Sequence, residues 1–184
     1  PLVKDWPSGN PTDWVRAGKP PKGPQLCLLG KETEQAHLSL GIRSLDAYDD
    51  DRYALGILSI LIGEGMSSRL FIRLREELGL CYDVHSSTSY LRDTGTFAIH
   101  AGVDPTNALE TVREIVSVLA RARLPIELEE LERAKQQVRS RIQLQLEDSR
   151  AISDWYGSRL ALDLPLREPE ETIASFEQVT IENL

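Results

Sequence analysis

An α+β fold, with an antiparallel sheet covered on one side by helices, is what this 184-residue chain predicts. Two early stretches, 36–42 and 82–103, alternate apolar and polar residues with the period-two spacing of a half-buried strand. From Asp104 onward the apolar residues recur at helical spacing instead. Strands gathered first and helices gathered last point to a sheet with a helical layer on it, whereas alternating βα units would imply a parallel sheet.

Residues 1–24 hold six of the ten prolines together with Gly9, Gly18 and Gly23, and they lack apolar periodicity. That composition describes an extended interdomain linker. Trp6 and Trp14 inside it predict partial docking onto an exposed edge, because an indole offers a large apolar surface and one polar handle. The domain proper is expected over 25–184. Its pattern is strand-like from Gln25, with Ala36, Leu38, Leu40 and Ile42 on one face and His37, Ser39 and Arg43 on the other. Asp49-Asp50-Asp51 offers an N-terminal cap for a helix through Ile62, with Ala54, Leu55, Leu58, Leu61 and Ile62 as its buried stripe.

Gly63-Glu64-Gly65 reads as a tight turn, since its spacing is neither a Walker loop nor a dinucleotide fingerprint. Ser67 and Ser68 read as a helix cap, with no general base near them in sequence to make either a nucleophile. The helix that follows places Leu70, Phe71, Leu74 and Leu78 on one face, and Gly79 provides the left-handed cap that ends it. Beyond it Tyr82, Val84, Ser86, Thr88 and Tyr90 share one side of an extended segment. After the turn at 91–95, Phe97, Ile99, Ala101 and Val103 alternate with Thr96, Ala98, His100 and Gly102, which makes an antiparallel hairpin.

Asp104-Pro105 is a helix start, with a carboxylate for free amides and a proline where no amide partner exists. That helix runs to about Ala122, turning Leu109, Val112, Ile115, Val116 and Leu119 to the core. Pro125 opens a longer charged helix with Leu128, Leu131, Val138, Ile142 and Leu146 inward. Ser149 caps another containing Ile152, Trp155, Tyr156 and Leu160, which ends before Leu164-Pro165. Thr180 caps a last short turn.

Composition narrows the function classes. Hydrophobic residues make up 41% of the chain and aromatics 6%, which implies an aliphatic core. A net charge of −8 repels phosphate backbones, so no nucleic-acid partner is expected. The longest apolar run, 54–62, is interrupted by Gly56 and Ser59 and is far shorter than the roughly 20 residues a spanning helix needs, so no membrane span is expected. Cys27 and Cys81 form no C-x-x-C pair and are read as free and packed. With Pro1 first, the chain reads as part of a longer precursor, and its compartment is not legible.

The chemistry concentrates at the helix-to-strand corner around Gly79. Arg75 flanks the buried stripe near the last turn of one element, and Tyr82 opens the next, so the corner brings both side chains together. A guanidinium and a phenol are fixed donors to carbonyl oxygens, which suits holding an extended peptide main chain. The bland alternative pairs Arg75 with Glu76, Glu77 or another surface acid and leaves Tyr82 as strand-end packing.

Three stretches, taken in order, carry a family resemblance. They are Glu34-Gln35-Ala36-His37-Leu38-Ser39-Leu40-Gly41, the turn from Gly63 to Ser68, and the block from Leu70 to Tyr82. Over roughly residues 25 to 180 the chain resembles the C-terminal half-domain of the pitrilysin/insulinase family of zinc peptidases, which includes mitochondrial processing peptidase. The resemblance implies a LuxS/processing-peptidase-like half-domain that closes against a second half around a peptide. It also implies that Arg75 and Tyr82 hold the peptide near the scissile bond, where the tyrosine can polarise the carbonyl.

The family's metal signature, H-x-x-E-H, is absent. The histidines are His37, His85 and His100, with no two within five residues. His37 reads as a hydrogen-bonded strand residue. His85 and His100 lie on neighbouring strands and could meet across them near Asp83, but they lack the spacing and the further ligand that a zinc site needs. No catalytic or metal residue is therefore expected in this chain. Zinc and the H-x-x-E-H domain are expected in a partner half, on the same precursor or another subunit, with a peptide as substrate. The alternative is a scaffold or peptide-binding component without proteolysis. The family pattern would continue past Leu184 with a helix and a strand, so the sheet is expected to expose an edge. A homo-oligomer, or the 1–24 linker, would cover that edge.

Overall fold

Period-two alternation becomes a three-stranded antiparallel sheet in the computed structural model, which describes residues 15–19, 34–122 and 125–184 together with Pro7 and Gly9. Trp6, Trp14, Cys27 and the strand expected from Gln25 lie outside the described residues. Strands β1 (Ala36–Ser44), β2 (Cys81–Tyr90) and β3 (Gly95–Val103) lie in the order β1-β3-β2, with β3 central. The hairpin closes where Leu91 N donates to Thr94 O at 2.8 Å. Phe97, Ile99, Ala101 and Val103 turn to the helices, and Ala36, Leu38 and Leu40 pack beside them from β1. Ile42 does not join that face. It sits near the end of its strand and stays exposed.

Helix α1 (Arg52–Gly63) departs from the single stripe the spacing predicts. Leu55, Leu58 and Ile62 pack toward the sheet, while Tyr53, Ala54, Ile57, Ile60 and Leu61 pack into a second cluster. Burial on both sides is the physical reason that one helical face could not describe it. Ile57 is wholly buried, so truncation to alanine there should cost about 2–5 kcal/mol. Asp51 precedes the helix but makes no capping bond through its side chain.

Helices α2 (Ala108–Arg121), α3 (Leu128–Gln145), α4 (Ser149–Ala161) and α5 (Pro169–Glu177) complete the described layer. A 3₁₀ turn, Pro105–Asn107, leads into α2, and Asp104 caps it by accepting from Thr106 N at 2.8 Å. The buried line of α2 is Thr111, Ile115 and Val118, so Leu109 and Val116 are exposed, contrary to expectation. Thr111 can take a core position because its hydroxyl donates to Asn107 O at 2.9 Å. A capping box between Glu127 and Glu130 starts α3 three residues beyond Pro125, and this leaves Leu128 exposed. For α4 the cap is Asp148, one residue before Ser149. The apolar pattern did not reveal α5, a short helix opened by Glu168 and Pro169 that buries Thr172 and Ile173. Its sequence signal is acid-rich: Glu168, Glu170 and Glu171 around a proline at the first helical position.

The turn at 63–65 locks α1 to β2. Ser59 Oγ donates to Glu64 Oε1 at 2.7 Å and lies 2.9 Å from Ser86 Oγ on β2, while Arg141 of α3 donates to Glu64 Oε2 at 2.6 Å. Ser86 also donates to Ser59 O at 2.8 Å. Ser68 does not cap the next helix with its side chain: it is buried and donates to Gly65 O at 2.7 Å, tying the turn together, while Ser67 is exposed. Part of the proline-rich stretch touches the domain through its backbone. Ala17 N donates to Asp93 Oδ2 at 2.8 Å, and Arg43 of β1 donates to Gly18 O at 2.7 Å.

Candidate functional site

Two local irregularities build the corner that carries Arg75 and Tyr82. The segment Phe71–Glu77 is a π-helix, with Leu78 N reaching back to Arg73 O at 3.2 Å and Leu80 N to Leu74 O at 2.8 Å. Such wide turns concentrate at functional sites. Leu70 and Leu74 are fully buried under it, while Leu78, expected in the same stripe, lies at the exposed rim. Gly79 follows with φ of +60°, a left-handed conformation that glycine adopts without a Cβ clash.

The second irregularity is a β-bulge at the start of β2. Cys81 faces Val103 and Asp83 faces Gly102, so one extra residue, Tyr82, stands between two consecutive partners. Cys81 and Val84 consequently both enter the core, whereas Tyr82 and Asp83 both turn outward. This corrects the expectation that Tyr82 shares a side with Val84, Ser86, Thr88 and Tyr90. Period-two counting fails across an inserted residue, and no glycine at 81–83 marked it. Tyr82 is 63% exposed as a result.

Arg75 is exposed as well, with its guanidinium carbon 5.0 Å from the centroid of the Phe71 ring. Ion pairing with Glu77 is not its role, because Arg73 takes that carboxylate at 2.9 Å and Glu114 at 3.0 Å. Arg75 and the Tyr82 hydroxyl have no hydrogen-bond partner among the described residues. Burial pushes the Cys81 thiol up from its ordinary range, Asp83 adds to this, and the Arg75 charge opposes it. The Arg75 charge therefore reaches the first residue of β2.

Below Tyr82, the open face of the sheet carries the two histidines the sequence could only place on neighbouring strands. His85 and His100 are directly opposite each other, with rings stacked at 5.1 Å between centroids. Asp83 Oδ2 lies 3.0 Å from His85 Nδ1, and Ser87 Oγ lies 3.3 Å from His100 Nε2. His37 stays on the same polar side with Ser39 and Arg43, all three exposed. No cluster of three or more His, Cys, Asp or Glu side chains arranged to hold a metal ion occurs among the described residues. The residues present therefore do not fit the zinc of the resembled family, and no chemical step is assigned to a metal here.

Comparison with known proteins bears on this arrangement. A family model described as peptidase M16 inactive domain matches residues 1–138. An uncharacterized zinc protease of Streptomyces coelicolor is 39% identical over 133 residues, covering 71% of this chain and 28% of that protein. One of Mycobacterium bovis is 35% identical over 162 residues, covering 88% and 37%. The chain thus spans about a third of the length of these curated relatives. A crystal structure of a peptidase M16 inactive domain from Pseudomonas fluorescens matches with a TM-score of 0.71 at 25% identity, over 82% of this chain and 36% of that one. A protease from Helicobacter pylori matches with a TM-score of 0.72 at 25% identity, over the same two shares. A chain of complex III2 from Candida albicans, at 15% identity and a TM-score of 0.73, covers 82% of this chain and 38% of its own and shares the fold.

Proposed function

The chain belongs to the peptidase M16 inactive-domain family, and from that premise we propose that it is the substrate-holding half of a zinc-dependent endopeptidase or oligopeptidase. No cluster able to hold a metal ion occurs among its described residues. In this reading a partner half, on the same precursor or another subunit, brings H-x-x-E-H and zinc, which supply the water activation. Arg75 and Tyr82 grip the main chain of an extended peptide beside that centre. Residues 1–24 act as the linker and 25–184 as the half-domain.

The observation that carries the reading is the bulge at Cys81/Asp83. It lifts Tyr82 out of the sheet at the same corner that carries Arg75, whose charge reaches the neighbouring Cys81 and whose donors no described residue claims. A guanidinium and a phenol held this way are ready to donate to carbonyl oxygens, with side-chain choice left to other surfaces. The same donors would serve a peptide-binding component without proteolysis, and the turnover assay below separates the two.

The test uses the two halves together. Arg75→Ala and Tyr82→Phe should each lower kcat/KM at least tenfold, with melting temperature and bound zinc unchanged. If Tyr82 donates to the developing oxyanion, its loss approaches about 2.7–4 kcal/mol in the transition state. Wild-type turnover by both variants would make the pair structural.

A further inference from the structure

We propose that the cleft between α1, α3, α4 and α5 binds an amphipathic anion, meaning a carboxylate or phosphate-monoester head on an apolar body. The cleft has a volume of about 500 Å³, within the range of roughly 300–1,000 Å³ typical of small-molecule sites. It lies in the helical layer, on the other side of the sheet from Tyr82 and His85, and the proposal does not depend on the peptide-holding reading. Ile60, Val138, Ile142, Leu162, Leu164 and Phe176 form its apolar wall.

Four arginines line the same cleft, Arg52, Arg141, Arg159 and Arg167, against two acids, Asp50 and Glu64. In a chain of net charge −8 that local excess is the opposite of the average surface. Arg141 is matched by Glu64. Among the described residues Arg52 has only Asp50 as a carboxylate partner, at 3.6 Å and largely in solvent. Arg159 and Arg167 have no carboxylate within ion-pair distance among the described residues. Arg52 and Arg167 instead converge on one phenol, donating to Tyr53 Oη at 2.7 and 3.0 Å. Arg159 is stacked 3.9 Å above Trp155 and held by Trp155 O at 2.8 Å. Burial first, and then the fields of Arg52 and Arg167, weaken its hold on its proton, although Tyr53 and Tyr156 oppose this.

The hydroxyl of Thr172 on the same wall is sealed from solvent, so the arginines carry the recognition of the head group. Thr172 is 7% exposed, and its Oγ1 has no hydrogen-bond partner among the described residues. Guanidinium forks match the oxygens of a carboxylate or phosphate, and the aliphatic and aromatic walls would hold the rest of the molecule. An oxyanion head at Arg159 and Arg167 would supply the charge the cleft lacks.

Isothermal titration of the intact chain with dodecanoate, dodecyl phosphate, dodecanol and inorganic phosphate, all below micellar concentration, tests this. One or both amphipathic anions should bind saturably, with dodecanol and inorganic phosphate at least tenfold weaker. The tighter of the two heads identifies the source. Arg159→Gln and Arg167→Gln should each weaken binding at least tenfold with unchanged circular dichroism, and Arg159→Lys should restore part of it. Arg159 sits on α4, which buries none of its own residues, so that variant does not threaten the fold. Absence of saturable binding, dodecanol binding as tightly as the anions, or wild-type affinity in Arg159→Gln would each overturn the proposal.

Discussion

Replacing Gly63 with alanine tests how tightly α1 is joined to β2. Gly63 is the last residue of its helix, and in open space alanine would be favoured there by about 1 kcal/mol on helix propensity. A Cβ on Gly63 would instead lie 2.7 Å from Ser86 N, Cβ and Oγ. Backbone is among those atoms, so rotating a side chain cannot relieve the clash. The helix end must draw away from the strand, at a cost of about 1–3 kcal/mol for overpacking. That movement also stretches the contacts of Ser59 and Ser86, both buried, and leaving one such hydroxyl unpaired costs about 1–3 kcal/mol. After the propensity gain is subtracted, the net loss is about 3 kcal/mol. Urea unfolding should show it as a lower midpoint, and a thermal melt as a fall of roughly 6–12 °C. Gly157, exposed inside α4 with nothing within 4 Å of an added Cβ, is the internal control: alanine there should stabilise by about 0.5–1 kcal/mol. A Gly63→Ala protein as stable as wild type would refute the close approach and the packing built on it.

Cys81 supplies a second test. Its thiol is pushed up chiefly by burial, so in a Cys27→Ser background alkylation at pH 8 should be slower than that of the unfolded chain. Because the folded value is raised, the stability it contributes is full below the ordinary thiol range and is lost as pH rises through the folded value, and a urea series across that window should show the decline. Arg75→Ala removes the one opposing charge and should slow alkylation further, whereas faster reaction than in the unfolded chain would contradict the burial. Thr172→Val replaces an unpartnered buried hydroxyl with a group of the same shape, so stability should rise by about 1 kcal/mol in a chemical melt, and a comparable fall would mean that the hydroxyl is satisfied.

Much of the fold was written locally. The alternation at 36–42 and 95–103 specified strands because a strand's two faces are two solvents, and Asp104-Pro105 and Gly79 specified ends because capping and positive φ are single-residue chemistry. That Arg75 and Tyr82 flank a helix-to-strand corner was legible from the helix-stop at Gly79, while their role rests on the resemblance. What the sequence could not show depends on partners distant along the chain. Whether α1 is buried on one side or both is decided by α3 and α5 packing behind it. The bulge that turns Tyr82 outward is a matter of register against β3, and the stacking of His85 on His100 follows from that same register. The arginine-lined cleft is the extreme case, because residues 52, 141, 159 and 167 share nothing in sequence and come to line one cleft only when α1, α3, α4 and α5 pack together.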